Sequence, residues 1–149
     1  MKISNSFNIS SSALTAQRLR MDVISSNIAN ARTTRASMED GQPIPYRRKT
    51  VIMAPNKVDF KNSLSSAMGK EPASQGVKIT QIKDDPTPFK PVYDPTHPDA
   101  NSEGYVYMPN VDLMKEMVDM ISATRSYEAN VTALNASKAM ISKALQIGK

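Results

Sequence analysis

Apolar residues recur with helical spacing at both ends of the chain and fall into another rhythm between them. Over 4–31, Phe7, Leu14, Met21 and Ile28 lie seven apart, with Gln17, Ile24 and Ala31 between them. Such a repeat predicts an amphipathic helix with one apolar seam. The serines Ser10, Ser11 and Ser12 suit an N-cap. The pattern ends at Asn30, Thr33 and Thr34, and asparagine tolerates the left-handed conformation that often closes a helix. The repeat over 111–147 is longer. Leu113, Met120, Tyr127, Leu134 and Ile141 form one seam and Met117, Thr124, Val131, Lys138 and Leu145 a second. A helix of about 37 residues extends ~55 Å, and an N-terminal helix of about 28 residues reaches only ~42 Å. Ile9, Leu19, Val23, Met114, Val118, Ile121 and Met140 widen the stripe beyond a two-helix seam. A stripe that wide is buried on more than one side, so the pattern asks for helices from neighbours.

Between these ends, 32–109 holds all ten prolines. Segments 46–55, 76–85 and 104–109 have strand propensity. The stretch 56–75 reads as a long mobile loop. The stretch 84–104, with Pro86, Pro88, Pro91, Pro95 and Pro98, must be extended or turn-rich. The expected fold class is mainly α with a small β-rich insert. The long N- and C-terminal helices pack as a coiled-coil-like pair, and the middle segment has short strands and a proline-rich extended loop. The expected division is 1–35, 36–109 and 110–149.

Small polar residues crowd both helical ends: Ser25, Ser26, Asn27, Ala29 and Asn30 in one, Ser126, Ala129, Asn130, Ala133, Asn135 and Ala136 in the other. They let helices approach closely and bond across the contact, where a buried amide fixes register at some cost in stability.

Composition narrows the chemistry. Apolar residues are 40% and aromatics 5% of the 149 residues, which allows a modest core. Ten methionines supply adaptable contacts. With no cysteine there is no disulfide, zinc–thiolate site or thiol catalysis. The net charge of +5 is interspersed rather than blocked. The start of the chain lacks the pattern of a cleaved signal, and no run approaches the ~20 apolar residues that span a bilayer. No phosphate-binding glycine loop, dinucleotide fingerprint or nucleophile elbow occurs. His97, the one histidine, has Asp94, Asp99 and Glu103 nearby, but prolines flank it and no second imidazole exists. A stiff turn that docks on a neighbour fits it better than a metal. Asp84 and Asp85 precede Pro86 and read as a turn rather than a catalytic pair. Arg47, Arg48 and Lys49 beside Tyr46 raise a phosphate grip, but a charged strand edge guarded against aggregation is preferred, with some of these charges meeting acidic neighbours. Arg125 with Glu128, and Lys115 with Asp119, are spaced for helix-face ion pairs.

At this point the chain resembles a known family. "SSNIAN" (25–30), "YEAN" (127–130) and "ALNASKAM" (133–140) are similar to the N- and C-terminal signatures of the flagellar basal-body rod family. The run 88–112 resembles a stretch found in proximal-rod members. The serines at 25 and 26 depart from the family, which often has an asparagine before Asn27. The likeness covers the first 35 residues or so and everything from about residue 76; 37–75 carries little of it.

The resemblance implies a non-enzymatic structural subunit whose terminal helices form an inner layer around the export channel and whose middle lies outside. It implies export through the flagellar type III apparatus without signal cleavage, and a place in the rod within the periplasm. The implied partners are other rod proteins, copies of the chain itself, the export apparatus and the membrane-anchored ring at the rod base. Neither nucleic acid nor a membrane span belongs to this reading, and no catalytic, metal or cofactor site is expected. The expected subunit contacts are Leu14, Met21, Ile24, Asn27, Ile28 and Asn30 on the first helix. On the second they are Leu113, Met117, Met120, Arg125, Tyr127, Glu128, Asn130, Val131, Leu134, Ile141 and Leu145. The alternatives are a coiled-coil adaptor or chaperone acting as monomer or dimer, and a basic nucleic-acid binder.

Overall fold

A computed structural model of the chain describes residues 3–39, 42–56, 64, 68 and 76–147. The expected loop at 56–75 lies almost wholly outside the described residues. Two helices dominate: α1 (Ile3–Ala29) and α2 (Leu113–Ile147). Between them come β1 (Ser37–Glu39), β2 (Gln42–Ile44), β3 (Lys49–Pro55), β4 (Val77–Asp84), β5 (Lys90–Tyr93) and β6 (Tyr105–Met108). The strands pair as three separate hairpins, β1–β2, β3–β4 and β5–β6.

The start of α1 corrects the sequence reading. Helix is already formed at Ile3, so Ser10–Ser12 are interior rather than capping. Ser10 is buried, and the Ser12 hydroxyl turns back to the Ile9 carbonyl at 2.7 Å. The end of α1 follows the expectation. The Asn30 amide side chain donates to the Ser26 carbonyl at 2.9 Å, and its oxygen accepts from the Thr33 hydroxyl at 3.2 Å. One asparagine thus satisfies a terminal carbonyl and turns the chain. For α2 the N-cap is Asp112, whose carboxylate accepts from the amides of Met114 and Lys115.

The proline-rich stretch is more ordered than an extended loop. Lys90–Tyr93 forms β5, paired antiparallel with β6 in the register Pro91 to Tyr107 and Tyr93 to Tyr105. Pro91 is tolerated because each strand of a two-stranded sheet has a free outer edge. Around the hairpin Asp94 accepts from the Thr96 amide and hydroxyl, and Asn101 from the amides of Glu103 and Tyr105. Gly104 closes the turn with φ +82°, where a side chain would be strained and would crowd the Tyr93 ring.

The chain forms two compact units. Unit 1 comprises Met1–Leu19, Ile52–Gln81 and Ala123–Lys149; unit 2 comprises Arg20–Val51 and Ile82–Ser122. Each draws on both helices and on the β3–β4 hairpin. In unit 2 the buried residues are Val23, Ile24, Asn27, Pro45, Val106, Pro109, Asn110, Val111 and Glu116. In unit 1 they are the small residues Ser10, Ala16, Ala123 and Ser137.

The second seam on α2 differs from the heptad reading. The buried line runs through Glu116, Ala123 and Ser137, with Asn130 half-buried between them. Met117 and Leu145 stay exposed at 47% and 71%. The line is displaced by one residue because small and hydrogen-bonded side chains can lie against backbone, whereas methionine and leucine cannot come so near.

Candidate functional site: a buried polar anchor and an open apolar face

Unit 2 is organised around Asn27. Its amide nitrogen donates to the Lys49 carbonyl at 2.8 Å and to Glu116 Oε2 at 3.0 Å. Its oxygen accepts from the Lys49 amide at 2.9 Å and the Tyr46 hydroxyl at 3.0 Å. Two donors and two acceptor positions are all that an asparagine side chain has, and all are filled. The residue is 1% exposed. In effect the Asn27 amide replaces a neighbouring strand for Lys49 at the start of β3.

A second asparagine does the same one residue earlier. Asn110 Oδ1 accepts from the Arg48 amide at 2.8 Å, and its nitrogen donates to the carbonyls of Asp85 and Thr87. The Arg48 carbonyl accepts from the Asp85 amide at 2.8 Å. Four consecutive polar positions of the backbone are therefore held from three directions: α1, the segment before α2, and the end of β4.

The Arg48 side chain completes the cluster. Its Nε donates to Glu116 Oε1 at 2.7 Å and its Nη2 reaches the same oxygen at 2.6 Å. Its Nη1 donates to Asp85 Oδ2 at 3.2 Å, and Asp119 Oδ2 stands 3.8 Å from Nη2. Glu116 is 1% exposed, so its charge requires this partner. Burial works against the Arg48 charge, but the hydrogen bonds and charges of Glu116 and Asp85 outweigh it and its pKa is raised. Asp85 is lowered to about 2, mainly by the hydroxyl and amide of Thr87, with Arg48 adding to them.

This corrects the reading of the basic run. Arg48 is neither a phosphate grip nor an edge guard, because it is spent on Glu116 and Asp85 within its own unit. Arg47 instead lies over the Phe89 ring, 4.5 Å from its centroid. Asp84–Asp85 does form a turn, with Asp85 accepting from the Thr87 amide at 3.0 Å. Asp94 and Asp99, two of the carboxylates around His97, are occupied as well. Asp99 binds Arg35 and, at 2.8 Å, the Thr34 hydroxyl, which in that order hold its pKa below the ordinary carboxylate range, and His97 Nδ1 accepts from the Asp99 amide. Among the described residues no cluster suits a metal ion.

The expected contact residues fall into three groups. Ile24 and Asn27 are buried. Leu14, Met21, Ile28, Asn30, Met120, Tyr127, Asn130, Val131, Leu134 and Ile141 are half-buried. Leu113, Met117, Arg125, Glu128 and Leu145 are exposed, and Arg125 pairs with Glu128 at 3.2 Å. Around the exposed group lie further apolar residues of α2: Met114 at 71%, Val118 at 64%, Ile121 at 61% and Met140 at 64%. Within unit 2, Leu113, Met114, Met117, Val118 and Ile121 recur three and four apart and form one bare apolar face of α2. Glu116, Arg48 and Asn110 were not singled out as site residues by sequence reasoning. The available signal was a polar and small heptad, Glu116, Ala123, Asn130 and Ser137, lying beside the apolar one.

The two ends of the chain carry the informative similarities. Residues 7–36 match the family described as "Flagella basal body rod protein", and residues 102–147 match "Flagellar basal body rod FlgEFG protein C-terminal". Matches of this kind at both ends define a class, the flagellar basal-body rod proteins. Whole-chain relatives narrow it. The flagellar basal-body rod protein FlgC of Bacillus subtilis is 58% identical over 146 residues, covering 97% of each chain. That of Borreliella burgdorferi is 48% identical over 153 residues, covering 99% of this chain and 98% of its own. That of Yersinia enterocolitica is 43% identical over 149 residues, covering 100% of both. The chain belongs to the FlgC family of flagellar basal-body rod proteins. This membership favours a structural rod subunit over the adaptor or chaperone alternative.

Proposed function

We propose that this rod subunit assembles through its two helices, with α1 and α2 pairing in a coiled-coil-like manner and the exposed face of α2 meeting axial proteins next to it. The observation that carries the reading is the bare face at Leu113, Met114, Met117, Val118 and Ile121 in a chain of this family. Contiguous apolar surface of this kind on a water-exposed helix marks an interaction site. Segments 1–35 and 110–149 act as the rod core and 36–109 as the outer insert. Neighbouring copies and other rod proteins cover the helices, and the export apparatus and the membrane-anchored ring lie at the rod base. The chain reaches the periplasm by flagellar export without signal cleavage. Among the described residues no helix is long and apolar enough to cross a membrane.

Asn27 and Ile24 serve this assembly indirectly, since they are buried in unit 2 and hold α1 to β3 and α2. Leu113, Met117, Arg125, Glu128 and Leu145 are the members of the expected set that are open to direct contact. Replacing Met117 or Val118 by aspartate leaves the fold and secretion intact and abolishes incorporation into basal bodies. Motility and the chain content of purified basal bodies read the outcome. Full motility with both variants would remove the apolar face from the assembly surface.

A further inference from the structure

The chain has ten methionines and neither cysteine nor tryptophan, which leaves thioether sulfur as its most readily oxidised group. Met21, Met53, Met108 and Met120 are half-buried. Met114 and Met117 are open to water at 71% and 47%. They lie three positions apart on α2 and are therefore side by side on the helix surface. Leu113, Val118 and Ile121, also exposed, surround them, and none of these three carries a reactive atom. All five belong to unit 2. Two oxidisable sulfurs thus sit within the apolar face of α2 that was assigned above to docking.

We propose that Met114 and Met117 are a modification site: a hypohalous acid converts their thioethers to sulfoxides, and the oxidised face of α2 no longer docks. The proposal rests on reading that face as an assembly surface, and it adds a chemical control over it. With hypochlorous acid each sulfur gives up an electron pair and gains the oxygen. The O–Cl bond breaks, and chloride and a proton leave to water. A flexible apolar side chain becomes a polar, chiral one. In the free chain water satisfies the new sulfoxide oxygen. Under an apolar partner it finds no donor, so docking carries the cost of a buried, unpaired acceptor. Leu113, Val118 and Ile121 cannot react in this way, so the response of the face belongs to the two methionines. Once the subunit is docked, both sulfurs are covered. The same oxidant therefore rejects a free chain and spares an assembled one. The block is reversible, because methionine sulfoxide reductases return the sulfoxide to the thioether.

The test treats cells making the full-length chain with a short pulse of hypochlorous acid while basal bodies are being built. The chain content of purified basal bodies is measured, and sulfoxide is mapped by peptide mass spectrometry in assembled and unassembled chain. Sulfoxide at positions 114 and 117 is expected to be about tenfold scarcer in basal bodies than in unassembled chain, and the chain content of basal bodies to fall about fivefold. A Met114→Leu, Met117→Leu double variant keeps similar bulk and cannot be oxidised. Compared with its own untreated level, its content stays nearly constant. Equal losses in the two strains, or sulfoxide at 114 and 117 as abundant in basal bodies as outside them, overturns the proposal. A measurement on the purified chain needs no assembly. With about one equivalent of hypochlorous acid, positions 114 and 117 are modified about fivefold more than the half-buried Met21, Met108 and Met120, and the reverse order also overturns the proposal. None of these outcomes alters the incorporation defect expected of Met117→Asp, so the docking reading stands or falls on that separate measurement.

Discussion

The two units use the same helices and the same long hairpin but hold them by different means. Unit 2 is pinned by asparagine amides and by a half-buried arginine between two carboxylates. Unit 1 offers hydroxyls and small side chains. Its counterpart of Asn27 is Ser12, whose oxygen accepts from the Val77 amide at 3.1 Å while its hydrogen goes to Ile9. Its interhelical polar contact is Ser6 with Ser137, at a long 3.5 Å. Gln17 Oε1, also in unit 1, is buried with no partner among the described residues, which costs stability rather than adding it. Unit 2 has the stronger internal anchors among the described residues.

Breaking the anchor of unit 2 has the largest expected effect. Asn27→Ala strips partners from both polar groups of the Lys49 backbone, from Tyr46 and from Glu116. Orphaned groups of this kind cost about 3 kcal/mol together. Denaturant unfolding reads the loss. Hydrogen exchange localises it, with amides of 20–29 and 113–122 exchanging faster and those of 123–147 unchanged. Equal acceleration in both halves of α2 would erase the distinction between the units.

The matching change in unit 1 is smaller. A Cβ at Gly76 would lie 2.2 Å from Ser12 Oγ and 3.0 Å from its Cβ. The hydroxyl can rotate away, but it then gives up Val77, so Gly76→Ala costs about 1 kcal/mol. The same unfolding measurement compares it with Asn27→Ala, and an equal or larger loss would reverse the order of the two anchors.

Acid gives the smallest and most selective change. Asp85 has its folded pKa lowered from 3.8 to about 2. A depressed carboxylate contributes stability that is present above its unfolded pKa and is lost as pH falls through the folded one. Unit 2 therefore weakens between about pH 4 and pH 2, and Asp85→Asn removes that part of the acid dependence. Unfolding curves taken across this window, with and without the substitution, check it. An unchanged slope would take Asp85 out of the acid response.

Legibility differed between elements for identifiable reasons. Both long helices were visible because a seven-residue apolar repeat is a property of local spacing. Strands β3, β4 and β6 were visible because β-branched and aromatic residues cluster there. β1, β2 and β5 were not, since each is three or four residues long and contains or adjoins polar residues and proline. Such strands form only when a partner strand arrives. The bare face of α2 followed from counting apolar positions around the helix. The anchor did not, because Asn27, Arg48, Asp85, Asn110 and Glu116 are spread over 90 positions of sequence and no spacing rule links them.

What the sequence by itself determined is therefore the pair of terminal helices, their excess apolar surface, the lack of disulfide chemistry and, through the motifs at both ends, the family. These rest on local periodicity and composition, which need no knowledge of what meets what. Tertiary structure decided which polar residues are structural. It turned Arg48 from a surface charge into an internal tie and Asn27 from a contact for neighbours into a clamp on β3. It also shifted the buried line of α2 by one residue, onto Glu116, Ala123 and Ser137. The physical reason is the same in each case: a polar group can be buried only where its partners already wait, and those partners come from distant parts of the chain.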